Sequence, residues 1–246
     1  MPDPACARRD AAEPPVETRR RGSITAGARW IRHSPIVLAT LASAATINLF
    51  NFVFSALFVL YATRNLHINA GTLGAVLGVG AAGSMLGSIV TARIARRIGV
   101  GPAYLLGCIL FPAPLVLVPL AGGPERLVLA LLFAAEFAAG FGVMVLDISI
   151  GSLFAAIIPD RLRSRVAGAF QTVNYGVRPL GSLLGGALGS SIGLRSALWI
   201  GTVGALAGVL WLLPSPIPRL RTLPARPADP VPAGEPPAVD EASAAG

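Results

Sequence analysis

Six apolar stretches, each near the length that crosses a bilayer and separated by short loops, decide what this chain can fold into. They fall at residues 35–62, 71–92, 102–121, 127–157, 166–191 and 196–213. Hydrocarbon about 30 Å thick is spanned by roughly 20 residues of α-helix, and no water is available there to satisfy a backbone group. The sequence therefore predicts an all-α membrane protein with six transmembrane helices. The fourth stretch is longer than a bilayer requires, so it tilts or extends into the cytoplasm.

Charge placement agrees with that reading. Only 13% of residues are charged, against about 25% in a soluble domain, and they collect in tails and loops. The net charge of +8 is carried entirely by arginine. Its distribution excludes nucleic acid as the partner and matches membrane topology instead. Sixteen of the twenty arginines lie in the first tail, the loop after the second stretch, the loop after the fourth and the last tail. Arg64, Arg126 and Arg195 lie on the other side, and Arg178 lies inside the fifth stretch. The positive-inside rule then places both termini in the cytoplasm of a multi-pass cell-membrane protein.

Residues 1–33 form a polar cytoplasmic tail or linker, residues 34–213 the bundle, and residues 214–246 a disordered cytoplasmic tail rich in Pro, Ala and acidic residues. The first tail is not a signal peptide, because the apolar run begins too late and is too long. Its "TRRRGS" is set aside as a twin-arginine signal for the same reason. Cys6, Cys108, His33 and His67 are isolated in sequence, which gives no disulfide framework and no metal-ligand spacing. No cofactor, metal or enzymatic activity is expected.

The six stretches also differ in kind. The first carries Asn48, Asn51 and Ser55 on one stripe, the second is glycine-rich, and the third has no charge. The fourth carries Glu136 and Asp147, the fifth is glycine-rich and holds Arg178, and the sixth is again plain. An offset of 94 aligns Leu86–Ser88 with Leu180–Ser182, Gly74 with Gly168, Gly99 with Gly193, Ala103 with Ala197 and Gly107 with Gly201. Three helices per repeat is an odd number, so the second copy enters from the opposite side and the repeats are inverted.

Several segments resemble the C-terminal half of a major facilitator superfamily transporter, in the branch of multidrug and siderophore exporters that includes the enterobactin exporter. They are "GARWIRHSPIVLATLASAATINLF", the run from "LFVLYATRNLHINAG" to "ARIARRIGVG", and "PDRLRSRVAGAF" through "GVRPLGSLLGGALGSSIGLRSALWIG". The likeness covers about residues 27–213. In "ARIARRIGVG", Arg93, Arg96, Arg97 and Gly99 resemble the degenerate second copy of the family's cytoplasmic loop, a conformational latch. Arg96 stands where that loop has an acidic residue, and the same arginines also read as a plain positive-inside loop. "GVRPLGSLLGG" is similar to the exporters' Gly-Pro antiporter motif, with the pair replaced by Arg178-Pro179. The resemblance implies one half of a major facilitator fold, alternating access, proton coupling and efflux by antiport across the plasma membrane. Because the family's unit has twelve helices, it also implies a second six-helix bundle, in another chain or a second copy.

Arg178 lies 13 residues past Arg165, about 20 Å into the bilayer at 1.5 Å per residue. Asp147 lies 12 residues before Pro159, about 18 Å from the same face. Asn48 and Asn51 come at similar depth. These four can meet near the midplane, where such transporters bind substrate. Gln171, Asn174 or Tyr175, Arg178 and Ser182 share a helical face that should front the cavity, and Pro179 favours a kink or hinge. A lone charge there costs at least ~2.5–3.5 kcal/mol, so Arg178 either pairs with Asp147 as a structural ion pair or serves substrate or proton. Glu136 and Asp147, eleven residues apart, share a face of their helix; they relay protons, or Glu136 sits among headgroups. Gly83, Gly87, Gly181 and Gly185 provide close helix packing.

Two functions compete. One is secondary active export of a small amphipathic molecule or drug. The other is a truncated or split half with no activity alone, serving as a partner subunit. A channel is disfavoured, because two plain helices of six leave no continuous polar lining.

Overall fold

The protein is known here from a computed structural model that describes residues 35–158, 160–215 and 217, with only the backbone of 160–162. The expected tails at 1–33 and 214–246 therefore lie, except for residues 214, 215 and 217, outside the described residues.

Every regular element among the described residues is helical. The order is α1 (Pro35–Arg64), α2 (Ala70–Ile98), α3 (Val100–Leu110), a 3₁₀ turn (Pro114–Val116), α4 (Leu117–Leu120), α5 (Glu125–Ile157), α6 (Asp160–Ile192), α7 (Leu194–Ala207) and a closing 3₁₀ turn (Gly208–Trp211). Five stretches are long and apolar enough to cross a membrane: Pro35–Arg64, Ala70–Ile98, Val100–Leu120, Glu125–Ile157 and Leu194–Trp211. Helix α6 has 33 residues, but Gln171, Asn174, Arg178 and Pro179 dilute its apolar content, and it is not one of the five. At about 50 Å each, α5 and α6 exceed the hydrocarbon thickness.

The third stretch is not one continuous helix. Pro112 and Pro114 lack the N–H that an α-helix needs at those positions. The chain passes through a turn at residues 111–113 and a 3₁₀ turn before α4 resumes. There the ladder tightens, with Leu115 N donating to Pro112 O at 3.2 Å and Val116 N to Ala113 O at 3.2 Å.

Entry and exit chemistry is local. Asn69 caps α2, its Oδ1 accepting from Thr72 N at 2.8 Å. Between α5 and α6, Arg163 Nη2 donates to Ala155 O at 3.1 Å, reaching one of the last carbonyls of α5. At the other end of the bundle Arg195 Nε donates to Pro119 O at 2.8 Å, tying the start of α7 to the end of α4.

Helix α2 packs on α5, α1 on α6, α3 on α5, and α1 on α7. Glycines set these crossings. A Cβ on Gly83 would meet the Phe137 carbonyl, and one on Gly140 the Gly80 carbonyl; Gly181 faces Leu49 O and Phe52, and Gly185 faces Val53 O. In lipid no hydrophobic force drives helices together, so backbone approach of this kind is what their association rests on.

Positions 94 apart behave alike. Gly99 (φ 95°, ψ 160°) and Gly193 (φ 88°, ψ 155°) each open the helix that follows. Gly87 and Gly181, and again Gly107 and Gly201, each press on a neighbouring backbone, and Ala103 and Ala197 are both fully buried. The conformation at Gly99 and Gly193 is nearly exclusive to glycine and costs another residue about 1–3 kcal/mol. Gly99→Ala and Gly193→Ala are each expected to lower stability in detergent by that amount; unchanged unfolding midpoints would contradict the strain.

Three apolar clusters fill the interior. One, around Tyr61, Leu73, Val128 and Leu198, lies by the α1–α2 and α4–α5 loops; another, of Val37, Ile158 and Val166, lies where α1 begins and α5 meets α6. Outward-facing side chains are apolar too, with Leu183 71% and Met85 69% exposed. In water such surfaces are aggregation hazards, but against lipid tails they carry no penalty.

Candidate functional site

Polar groups from α1, α5 and α6 converge on one cavity of about 430 Å³ between the helices. Asn48 and Asn51 reach it from α1, Asp147 from α5, and Gln171, Asn174, Tyr175 and Arg178 from α6, with Phe52, Phe111 and Phe170 supplying aromatic wall. Six of the residues expected to form the cavity from sequence are thus brought together. Their helical periods account for it: Asn48 and Asn51, and likewise Gln171, Asn174 and Arg178, recur at three or four residues and so share a face.

The asparagines form the direct link between helices. Asn48 Nδ2 donates to Asn174 Oδ1 at 3.1 Å and to its own helix at Ala44 O, 2.9 Å. Asn174 is buried. Such interhelical bonds average about 0.6 kcal/mol, because the separated helices find other partners. A double-mutant cycle on Asn48→Ala and Asn174→Ala should return a coupling of about 0.6 kcal/mol and at most ~1.7. Strictly additive unfolding free energies would deny the bond.

Arg178 is held by rings. Its guanidinium carbon lies 4.3 Å from the Tyr175 ring centroid and 5.1 Å from that of Phe52, and its Nε is buried with no hydrogen-bond partner among the described residues. Among the described residues no ion pair joins it to Asp147, although the two line the same cavity. Sequence reasoning placed Tyr175 on the stripe but missed Phe52. The signal was available in the one-turn spacing of Asn48 and Phe52 on α1, which carries the ring to the same face. Phe170 is fixed from α5 by an edge-on contact with Phe154, centroids 4.9 Å apart.

Glu136 does not line this cavity. It lies in an adjoining one of about 260 Å³ with Ser55, Gly80, Ser84 and Gly140. Asn51, Phe111 and Val143 border both spaces. Ser84 Oγ donates to Gly140 O at 3.0 Å across the α2–α5 crossing beside it.

Pro179 lies inside α6, one residue past Arg178, with Gly181 and Gly185 following against α1. Arg93, Arg96 and Arg97 are exposed at the end of α2, and Gly99 closes that helix with its N–H on Ala95 O. A larger cavity, about 560 Å³, lies among loop residues at the far end with His67, Glu125 and Arg195. It contains none of the expected site residues. It does show that the loops after α1 and α4 and the start of α7 share one end of the bundle.

The sequence model of the Major Facilitator Superfamily matches residues 36–241. That match covers most of the chain, which therefore belongs to this superfamily of membrane transporters. No curated protein matches the sequence.

Proposed function

We propose that the chain is a six-helix bundle of a secondary active exporter that moves a small amphipathic molecule or drug by alternating access and is proton-coupled. The observation that carries this reading is the cavity itself. Amides, one guanidinium, one carboxylate and three phenyl rings face a single space within helices otherwise apolar enough to lie in lipid. Intramembrane charges are kept where they serve a pathway. Proton coupling is supported by two carboxylates, Asp147 and Glu136, in adjoining cavities with a shared wall.

The inverted-repeat arrangement is supported by the packing. Exchanging α1 with α5, α2 with α6, and the α3–α4 stretch with α7 turns the α2–α5 contact into α6–α1 and the α3–α5 contact into α7–α1, and all four contacts occur. Helix α6 is then the sixth span, despite its lower hydropathy. Both termini are assigned to the cytoplasm of the cell membrane, because Arg93, Arg96, Arg97, Arg163 and Arg165 outnumber the arginines at the other end.

A second reading is that the bundle acts only beside another six-helix bundle. Asp147, Gln171 and Tyr175 line the cavity and are nonetheless exposed, so the space is open on one side. Another chain or a second copy would supply that wall. The test is proton-gradient-driven movement of lipophilic dyes in vesicles holding this chain alone, then with a candidate partner bundle. Robust gradient-dependent transport by the chain alone overturns the partner requirement. Transport indifferent to the gradient overturns coupling, and no transport in either arrangement overturns export.

A further inference from the structure

Two opposite charges face the 430 Å³ cavity, each within the other's field, and among the described residues no ion pair joins them. Among the described residues Asp147 accepts no hydrogen bond and joins no ion pair, and its side chain is exposed to the cavity. Arg178 has its guanidinium against the rings of Tyr175 and Phe52, with a buried Nε that finds no acceptor among the described residues. Ring contacts engage the guanidinium through its π-face, while its N–H groups point outward in the plane, where a carboxylate binds.

Had these two side chains formed a direct ion pair, they would satisfy each other and ask nothing of a ligand. Held apart in one low-dielectric space, they discriminate. A purely anionic ligand is drawn to Arg178 and repelled by Asp147, and a purely cationic one meets the reverse. A molecule carrying both an ammonium and a carboxylate answers both. Phe52, Phe111 and Phe170 supply apolar wall for its body, and Asn51 and Gln171 add side-chain amides with no partner among the described residues.

We propose that the cavity takes an amphipathic zwitterion, with its carboxylate on Arg178, its ammonium on Asp147 and its apolar or aromatic body against the phenylalanines. This rests on reading the cavity as the transport site and narrows its substrate class. Three probes of one body isolate the charges: phenylalanine, 2-phenylethylamine and 3-phenylpropionate. Their binding is measured by calorimetry to the full chain in lipid nanodiscs, with Asp147→Asn and Arg178→Gln compared.

Phenylalanine is expected to bind at least tenfold more tightly than either singly charged probe. Asp147→Asn should bring 3-phenylpropionate level with phenylalanine, and Arg178→Gln should bring 2-phenylethylamine level. If Arg178→Gln does not fold, the switch in Asp147→Asn, whose side chain is exposed, decides the matter. The proposal is overturned if phenylalanine does not bind, if a singly charged probe binds within threefold of it, or if Asp147→Asn leaves the order unchanged. Vesicle transport separates the two claims. Binding in the expected order without movement of any probe, by the chain alone or beside a partner bundle, sinks the export reading alone, whereas transport of neutral dyes with no preference for phenylalanine sinks this assignment alone.

Discussion

Gly83→Leu is expected to prevent α2 from seating on α5, and the protein should be recovered unfolded or aggregated in detergent. A Cβ at Gly83 would collide with the Phe137 carbonyl, a backbone atom that cannot rotate away. The partner side of the crossing is equally tight, since Gly140 abuts the Gly80 carbonyl and Ser84 Oγ bonds across to Gly140 O. Overpacking a core that can adjust costs about 1–3 kcal/mol. Here two helix backbones would have to separate, breaking the contacts that stand in for hydrophobic association in lipid, so the loss should exceed that range. Gly78 is the control, because beyond its own helix backbone and chain neighbours no described atom lies within 4 Å of a Cβ built there. Gly78→Ala should be neutral or gain up to ~1 kcal/mol from helix propensity. Equal behaviour of Gly83→Leu and Gly78→Leu in size-exclusion and thermal unfolding would show that the crossing is not set by backbone approach.

How much of this could be read from the amino acids varies with the physics of each feature. Stretch limits follow from hydropathy and arginine placement: five of the six expected stretches recur as apolar spans, four within two residues at each end and the second running on to Ile98. The break in the third stretch was also written there, in "FPAP", but hydropathy averages over it, since proline interrupts the hydrogen-bond ladder without adding polarity. In the site, the stripe on α6 and the asparagines of α1 were legible because a helical period fixes which residues share a face. What neighbours do with those faces was not legible. Asp147 and Arg178 were at matching depth, which allows an ion pair, yet depth gives no azimuth, and the guanidinium lies on Tyr175 and Phe52. For the same reason Glu136 and Asp147, on one face of α5, front different spaces, because α2 with Gly80 and Ser84 closes on the first and α6 on the second.

Arg178→Leu should abolish most transport while leaving the fold about as stable as before. A charged side chain at a helix centre costs about 2.5–3.5 kcal/mol on insertion scales, part of which a watered cavity relieves. Against that, its contacts with two rings return about 0.5–2 kcal/mol each. No ion pair adds to the return among the described residues. At mid-range the cost and the return nearly cancel, so leucine, which fills similar space without a charge, should move the unfolding midpoint little. Function moves the other way, because the only positive charge that lines the cavity among the described residues is removed. A drop of at least tenfold in substrate movement per folded molecule is expected, about 1.4 kcal/mol or more of lost interaction. Stability is read as a thermal midpoint in detergent, and transport from vesicles normalised to folded protein. A midpoint that falls by many degrees with transport falling only in proportion to the folded fraction would make Arg178 a structural residue. Unchanged midpoint and lost transport would instead mark it as a charge retained for what enters the cavity, since function is where such a cost is tolerated.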